Sequence, residues 1–352
     1  MWLWWFKLPF STHTILLTLL SLITTVGFAS LGYFINEFFD KASDAKAGKL
    51  NKLTFLSPQL QAAVFLSAVV LTFIPWVWLP STALSWLLIG MQILLFLVYS
   101  LPFPRLKEST YLSIVIDSLY AYLVPLVLSF YTFSLIAGVT GIPAWFYLFG
   151  ASVFFIGLRN IIIHQVNDVM KDKQSGIMTL PLVSGVQSTK KILLAILLYE
   201  AFFGLLSIVA LMKFNLVVLV YGFICFSIAL RAIRIAMKSD FDPQRDDLFI
   251  NWSYLYFFPL FTLVAAGVGN PFWLLLLPLH LTFLFPHYLI DKAILHLRRN
   301  YYKVVVFVSV EVRDALSKMV NYPLYYAFKL FGIDLKKENK SAADVLLGKR
   351  KK

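Results

Sequence analysis

Five of the eighteen acidic residues fall in two short segments. The first runs Asn36-Glu37-Phe38-Phe39-Asp40-Lys41-Ala42-Ser43-Asp44. The second runs Asn167-Asp168-Val169-Met170-Lys171-Asp172-Lys173 and leads into Gln174-Ser175-Gly176. On a helix, a four-residue step returns a side chain to the same face with a drift of roughly 40°. Asn36, Asp40 and Asp44 therefore form one oxygen-rich stripe, and Asp168 with Asp172 forms another. Carboxylates stacked this way repel one another unless a cation lies between them. Hard oxygen donors with open positions suit Mg²⁺, which completes its shell with water and substrate phosphates. Two facing stripes can hold such ions against a diphosphate and neutralise the charge that develops as it leaves. Solvated acids at helix ends are the bland alternative, and two similar clusters fit it less well than one would.

Between the clusters lies Tyr99-Ser100-Leu101-Pro102-Phe103-Pro104-Arg105-Leu106-Lys107. Taken alone, Arg105 and Lys107 read as positive-inside loop charge; beside two acidic stripes they become the cationic half of a diphosphate site, on a loop stiffened by its prolines. Asp117 follows that loop by about two turns. It either orients a substrate or metal-bound water, or it is a carboxylate paired with a neighbouring donor. Glu200 lies mid-span and reads as a hydrogen-bonded or protonated helix contact. His164 stands one turn before Asp168 and is either a general base or a packed histidine. His13, His280, His287 and His296 have no spacing that suggests a metal.

The elements that must position these groups are membrane helices. Of 352 residues, 60% are hydrophobic and 14% charged, against roughly 45–50% and about 25% in ordinary globular domains. Mean hydropathy is +0.78. A soluble fold has no interior large enough for that apolar surface, so a soluble enzyme, a disordered chain and a nucleic-acid binder are all disfavoured. The net charge of +13 then reads as loop charge facing an anionic leaflet. A single cysteine, Cys225, excludes a disulfide framework or thiolate metal site built from this chain alone. The expected fold is an all-α polytopic bundle.

At about 20 apolar residues per crossing, nine spans are predicted, near 12–36, 58–80, 82–101, 110–138, 143–167, 189–213, 214–236, 248–268 and 271–290. Trp2, Trp4, Trp5 and Phe6 read as an interfacial aromatic anchor rather than a cleaved signal peptide. Basic residues concentrate on alternate loops, from Lys41, Lys46, Lys49 and Lys52 through Arg231 and Arg234 to the C-terminal tail. The positive-inside rule makes those loops, both acidic clusters and the C-terminus cytoplasmic. Residues 1–290 form the transmembrane domain, and 291–352 a basic cytoplasmic or interfacial extension that lies on lipid or docks a protein partner.

The ordered set of motifs resembles the UbiA superfamily of intramembrane prenyltransferases. Asn36, Asp40 and Asp44 match its NxxxDxxxD motif, and Asp168 with Asp172 its later DxxxD motif. Tyr99, Arg105 and Lys107 look like its intervening phosphate-contacting loop. Gly176-Ile177-Met178-Thr179 is similar to its Gly-x-x-Thr continuation, and Asp117 lies in a segment seen in some members. The resemblance covers roughly residues 12–268. It implies a helical ring around a central cavity, Mg²⁺ dependence, and transfer of a prenyl group from its diphosphate to an aromatic or other lipid-pathway acceptor.

On that reading Asn36, Asp40, Asp44, Asp168 and Asp172 hold Mg²⁺. Tyr99, Arg105 and Lys107 bind diphosphate with help from Lys171 or Lys173, and Asp40, Asp168 and Asp117 act in catalysis. The expected partners are a prenyl diphosphate, an acceptor and membrane lipids, not nucleic acid, and the expected location is a bacterial cytoplasmic membrane. One departure stands out: a single span precedes Asp40 where the family usually has two. The expectation is that the 271–290 segment closes the ring where the usual first helix stands. The competing readings are a non-catalytic UbiA-like lipid-binding or scaffolding subunit, a transporter, which would show midplane charges and inverted repeats, and a cytidine-diphosphate alcohol phosphotransferase, whose Asp-Gly…Ala-Arg pattern is not evident.

Overall fold

The computed structural model describes residues 1–212 apart from 47, 49, 104, 105 and 140, together with Val220 and residues 258–278. The chain divides into two compact units, Met1–Leu274 and Leu275–Lys352. The helical bundle is the first of them. The expected boundary at 290 and the basic tail lie outside the described residues.

Among the described residues every regular element is helical. They are α1 (Trp2–Trp5), α2 (Thr12–Lys46), α3 (Pro58–Phe73), α4 (Ala83–Ser100), α5 (Leu112–Ser118), α6 (Val124–Ile136), α7 (Ala144–Ser175), α8 (Leu180–Ser184), α9 (Val186–Met212) and α10 (Phe258–Gly269). Among the described residues, six stretches are long and apolar enough to cross a bilayer: Thr12–Ala45, Pro58–Val77, Ala83–Ser100, Leu112–Ile136, Ala144–Met170 and Val186–Leu211. They coincide with the first six predicted spans. The span expected at 214–236 lies outside the described residues. Those at 248–268 and 271–290 are described only in part, as α10 and as the 3₁₀ segment Pro271–Leu276.

Start signals are local. Ser57 accepts from the Leu60 N–H with Pro58 in the first turn of α3, and Thr82 and Ser85 form a reciprocal capping box on α4. Two helices overshoot the membrane. The 35 residues of α2 and the 32 of α7 make rods of about 52 and 48 Å, against a hydrocarbon core of about 30 Å. Their last turns must therefore project into the polar zone, and both acidic stripes are on those turns.

Lipid is as apolar as leucine, so close backbone packing and polar contacts hold the bundle together. At Gly27 on α2, a Cβ would overlap the Thr72 backbone nitrogen; no larger residue permits that approach to α3. At Gly157 on α7, a Cβ would overlap Ser118 Oγ, and the Ser118 hydroxyl donates to the Phe154 carbonyl at 2.5 Å. The α7–α9 seam carries an intramembrane ion pair. Arg159 Nε meets Glu200 Oε2 at 2.7 Å with the two side chains 2% and 1% exposed, and Ser152 Oγ donates to the Glu200 carbonyl at 3.1 Å. Glu200 is thus the hydrogen-bonded helix contact expected of it.

The aromatic start of the chain packs on the bundle. Trp2 meets Phe130 edge-on at 5.2 Å and donates to Ser129 Oγ at 2.7 Å; Trp5 meets Trp145 at 4.6 Å. Phe10, just before α2, contacts the rings of Phe272 at 5.5 Å and Trp273 at 4.9 Å. Phe272 and Trp273 therefore lie beside the residue that leads into α2, while residues 279–290 of the segment expected to close the ring lie outside the described residues.

Removing one partner of a buried pair leaves an uncompensated charge. Glu200→Ala is expected to cost about 3–5 kcal/mol, read as a lowered melting temperature in detergent. The double variant Arg159→Met with Glu200→Leu is expected to recover most of that loss. A single variant that melts like wild type would show that the pair does not hold the seam.

Candidate active site

The two overshooting helices bring their stripes to one pocket of about 270 Å³. From α2 it is lined by Asn36, Glu37, Asp40 and Asp44, and from α7 by His164, Gln165, Asp168 and Asp172. Tyr99 at the end of α4, Lys107 from the following loop, and Thr179 before α8 complete it. Five carboxylates thus face one ammonium among the described lining residues.

The first stripe is held from two sides. Lys107 forms an ion pair with Asp40 and approaches Asn36 Oδ1 at 3.5 Å. Burial lowers the Lys107 ammonium to about 8, opposed by the neighbouring Glu108 carboxylate. On the other side, buried Asn51 donates from Nδ2 to Asp44 Oδ2 at 2.9 Å and to the Glu37 carbonyl at 2.7 Å. The same amide caps the next turn by accepting from the Leu53 N–H at 3.1 Å.

The second stripe is set by how α7 ends. Gly176 takes φ +74°, the left-handed conformation that favours glycine. Its N–H bonds the Lys173 carbonyl, while the Ile177 N–H bonds the Asp172 carbonyl at 3.0 Å. This is a Schellman closure. It turns the chain back at once, so that Thr179 is buried at the pocket with no hydrogen-bond partner for its hydroxyl among the described residues. Gln165 Oε1 accepts from the Leu180 N–H at 3.3 Å and pins the returning stretch of chain. His164 is exposed, with Nε2 3.7 Å from Asp168 Oδ2.

A second, mainly apolar cavity of about 390 Å³ adjoins the first and shares Asn36 and Tyr99 with it. One face of α2 lines it from Ser21 to Asn36, about 22 Å of helix, opposite Trp76, Phe96 and Tyr120. Tyr99 and Tyr120 meet edge-on at 5.2 Å, and the Tyr120 hydroxyl donates to Asp117 Oδ1 at 2.5 Å.

Of the residues expected at the site, Asn36, Asp40, Asp44, Asp168, Asp172, Tyr99 and Lys107 line the acidic pocket. Asp117 lines neither cavity; it accepts from the Tyr120 hydroxyl, whose ring meets that of Tyr99. Lys173 is exposed and is not among the lining residues. Arg105 and the Lys171 side chain lie outside the described residues. Sequence spacing passed over Glu37, Asn51 and Gln165. Thr179 stood only as part of the Gly-x-x-Thr continuation.

Among the described residues no three of the His, Cys, Asp and Glu side chains form a ready-made metal cage. Mg²⁺ does not need one, since it binds through one or two carboxylates and keeps water and phosphate as its other ligands. An open pocket of hard oxygen donors, with an ammonium against Asp40, fits such an ion.

A model of the UbiA prenyltransferase family matches residues 1–255. By structure the chain is similar to a UbiA homolog from Archaeoglobus fulgidus bound to GPP and Mg²⁺, with TM-score 0.54 and 18% identity over 74% of this chain and 88% of that one. It is also similar to that homolog bound to DMAPP and Mg²⁺, with TM-score 0.51 and 16% identity over 73% and 89%. Likeness at this identity speaks for the fold. No curated protein sequence matches significantly. With residues 1–255 of the 352 matched, the chain belongs to the UbiA prenyltransferase family.

Proposed function

We propose that this protein transfers a prenyl group from a prenyl diphosphate to a membrane-dissolved acceptor in a Mg²⁺-dependent reaction. The observation that carries this reading is the junction of two cavities. A pocket of five carboxylates and Lys107 shares Asn36 and Tyr99 with an apolar, aromatic-walled cavity. A molecule with a polyanionic head and a hydrocarbon tail has that polarity.

Asn36, Asp40, Asp44, Asp168 and Asp172 are the residues that would hold Mg²⁺, which when bound supplies charge neutralisation at the departing diphosphate. Lys107 binds diphosphate oxygens, and Arg105, Lys171 and Lys173 are assigned the same role from the sequence alone. Thr179 offers a hydroxyl to them. The prenyl tail lies along the lining face of α2, and the faces of Phe96, Tyr99 and Tyr120 flank the positive charge that builds on its first carbon. That carbon's bond to oxygen breaks, and the diphosphate leaves with the electron pair. The acceptor supplies the new pair and gives up a proton, for which His164, beside Asp168, is the nearby base. Asp117 acts through Tyr120 and Tyr99 as a positioning residue.

Loop charge supports a cytoplasmic acidic pocket, and the membrane we propose is a bacterial inner membrane. The transmembrane domain then runs to about residue 290, and the basic segment 291–352 lies at the lipid surface or docks a protein partner. A non-catalytic subunit is the second reading; the complete acid set around one pocket disfavours it.

Wild-type protein in detergent is expected to release diphosphate from geranyl or longer prenyl diphosphates only with Mg²⁺, and to stop on chelation. Asp40→Ala and Asp168→Ala are each expected to lower the rate about 10²–10³-fold without lowering the melting temperature. Full activity in Asp168→Ala would reject its assigned role. Absence of turnover by folded wild type with every donor would favour the non-catalytic reading.

Lys107→Gln removes one charge-assisted contact, worth about 1.5–3 kcal/mol. It is expected to weaken prenyl diphosphate capture about 10–100-fold, chiefly in KM. An unchanged KM would remove Lys107 from the diphosphate site.

A further inference from the structure

We propose that Gln92 selects the acceptor, by taking a hydrogen bond from a hydroxyl group on a molecule bound in the apolar cavity. This rests on the transferase reading above and adds to it the chemistry of the second substrate.

A proline creates the arrangement. Residues Leu119–Leu123 form a single π-helical turn between α5 and α6, closed by the Val124 N–H on the Leu119 carbonyl. The next bond of that kind would come from residue 125 to the Tyr120 carbonyl, but Pro125 has no N–H. The Tyr120 carbonyl is left open at membrane depth, where an unpaired backbone acceptor is costly. Gln92 Nε2 fills it at 2.6 Å.

That bond fixes the amide. With Nε2 committed to a carbonyl, which only accepts, the other end of the Gln92 side chain must be Oε1. Gln92 is 2% exposed and lines the apolar cavity, and Oε1 has no hydrogen-bond partner among the described residues. Of the buried side-chain polar atoms left without partners there, one other belongs to this cavity, the indole Nε1 of Trp76. The threonine hydroxyls along the wall are spent on backbone. Thr24 donates to the Thr72 carbonyl, Thr25 to that of Ser21, and Thr132 to that of Leu128.

The cavity therefore offers two buried, unpartnered side-chain atoms among the described residues, one that only accepts and one that only donates. A prenyl tail can satisfy neither. A hydroxyl donates and accepts, so it suits both kinds of site. Buried polar atoms without partners are rare in folded proteins and call for an explanation; covering the Tyr120 carbonyl accounts for Nε2 and leaves Oε1 unexplained. Aromatic walls from Phe28, Trp76, Phe96 and Tyr120 favour a ring as the carrier of that hydroxyl.

The test uses the full chain in detergent with geranyl diphosphate, Mg²⁺ and two probe acceptors, 1,3-dihydroxynaphthalene and its dimethyl ether. Both rings are electron-rich, but only the first can donate a hydrogen bond. Diphosphate release, prenylated product by mass, and equilibrium binding of each probe are measured for wild type and Gln92→Leu. Wild type is expected to bind and prenylate the diol in preference to the ether. Gln92→Leu is expected to lose roughly tenfold or more of that preference while keeping diphosphate release, and to melt somewhat lower because the Tyr120 carbonyl loses its donor. Equal handling of the two probes by wild type, binding of neither, or a Gln92→Leu variant that keeps the preference overturns the assignment. Absence of diphosphate release by wild type is a failure of the donor-site reading instead, and Gln92 is then judged on the binding preference alone.

Discussion

Five carboxylates around one pocket repel one another, and the organisation of the molecule follows from that constraint. Held on flexible loops, such groups would separate into solvent. Here they are carried on the last turns of α2 and α7, two rods whose lower portions are clamped by the bundle. Lys107 offsets part of the charge at Asp40, and the amide of Asn51 ties Asp44 back to its own turn. The residual excess of negative charge is left for cations to neutralise.

Helix length converts an apolar fold into a polar site. Crossing the hydrocarbon takes about 20 residues, and α2 and α7 are 35 and 32 residues long. The surplus turns keep helical geometry in the polar zone, so a four-residue spacing written in sequence becomes a stripe in space. Gly176 stops α7 within about one turn of Asp172, and the left-handed cap returns the chain over the pocket rather than away from it. The register of α7 against its neighbours is set deeper, by the close contact at Gly157 and the Arg159–Glu200 pair, so packing within the membrane determines where Asp168 and Asp172 stand.

Asn36 and Tyr99 mark the change from charged to apolar surroundings, since both cavities share them. Behind Tyr99, the Tyr120 and Asp117 side chains extend the polar contact sideways rather than adding another wall group to the acidic pocket. Asp117 therefore differs in kind from the motif acids, although all were candidates by residue type. The π turn, which leaves the Tyr120 carbonyl open to Gln92, sits in that same region.

Much of this was legible in sequence, for a physical reason. Composition alone dictates a membrane bundle, because the apolar surface has no other solvent. The first six predicted spans coincide with described helices, and the acid stripes could be drawn because helices continue straight past the apolar run. Other features depend on residues far apart in the chain. Arg159 finds Glu200 41 residues on, and Gln92 meets a carbonyl freed by Pro125 on another helix. Asn51 looks like an ordinary loop asparagine until its turn folds back beneath Asp44. Periodicity within one helix is a local property that the sequence determined by itself. Which faces meet, which polar atoms find partners and which are left for a ligand were decided only by tertiary packing, because a bilayer offers no water to satisfy them otherwise.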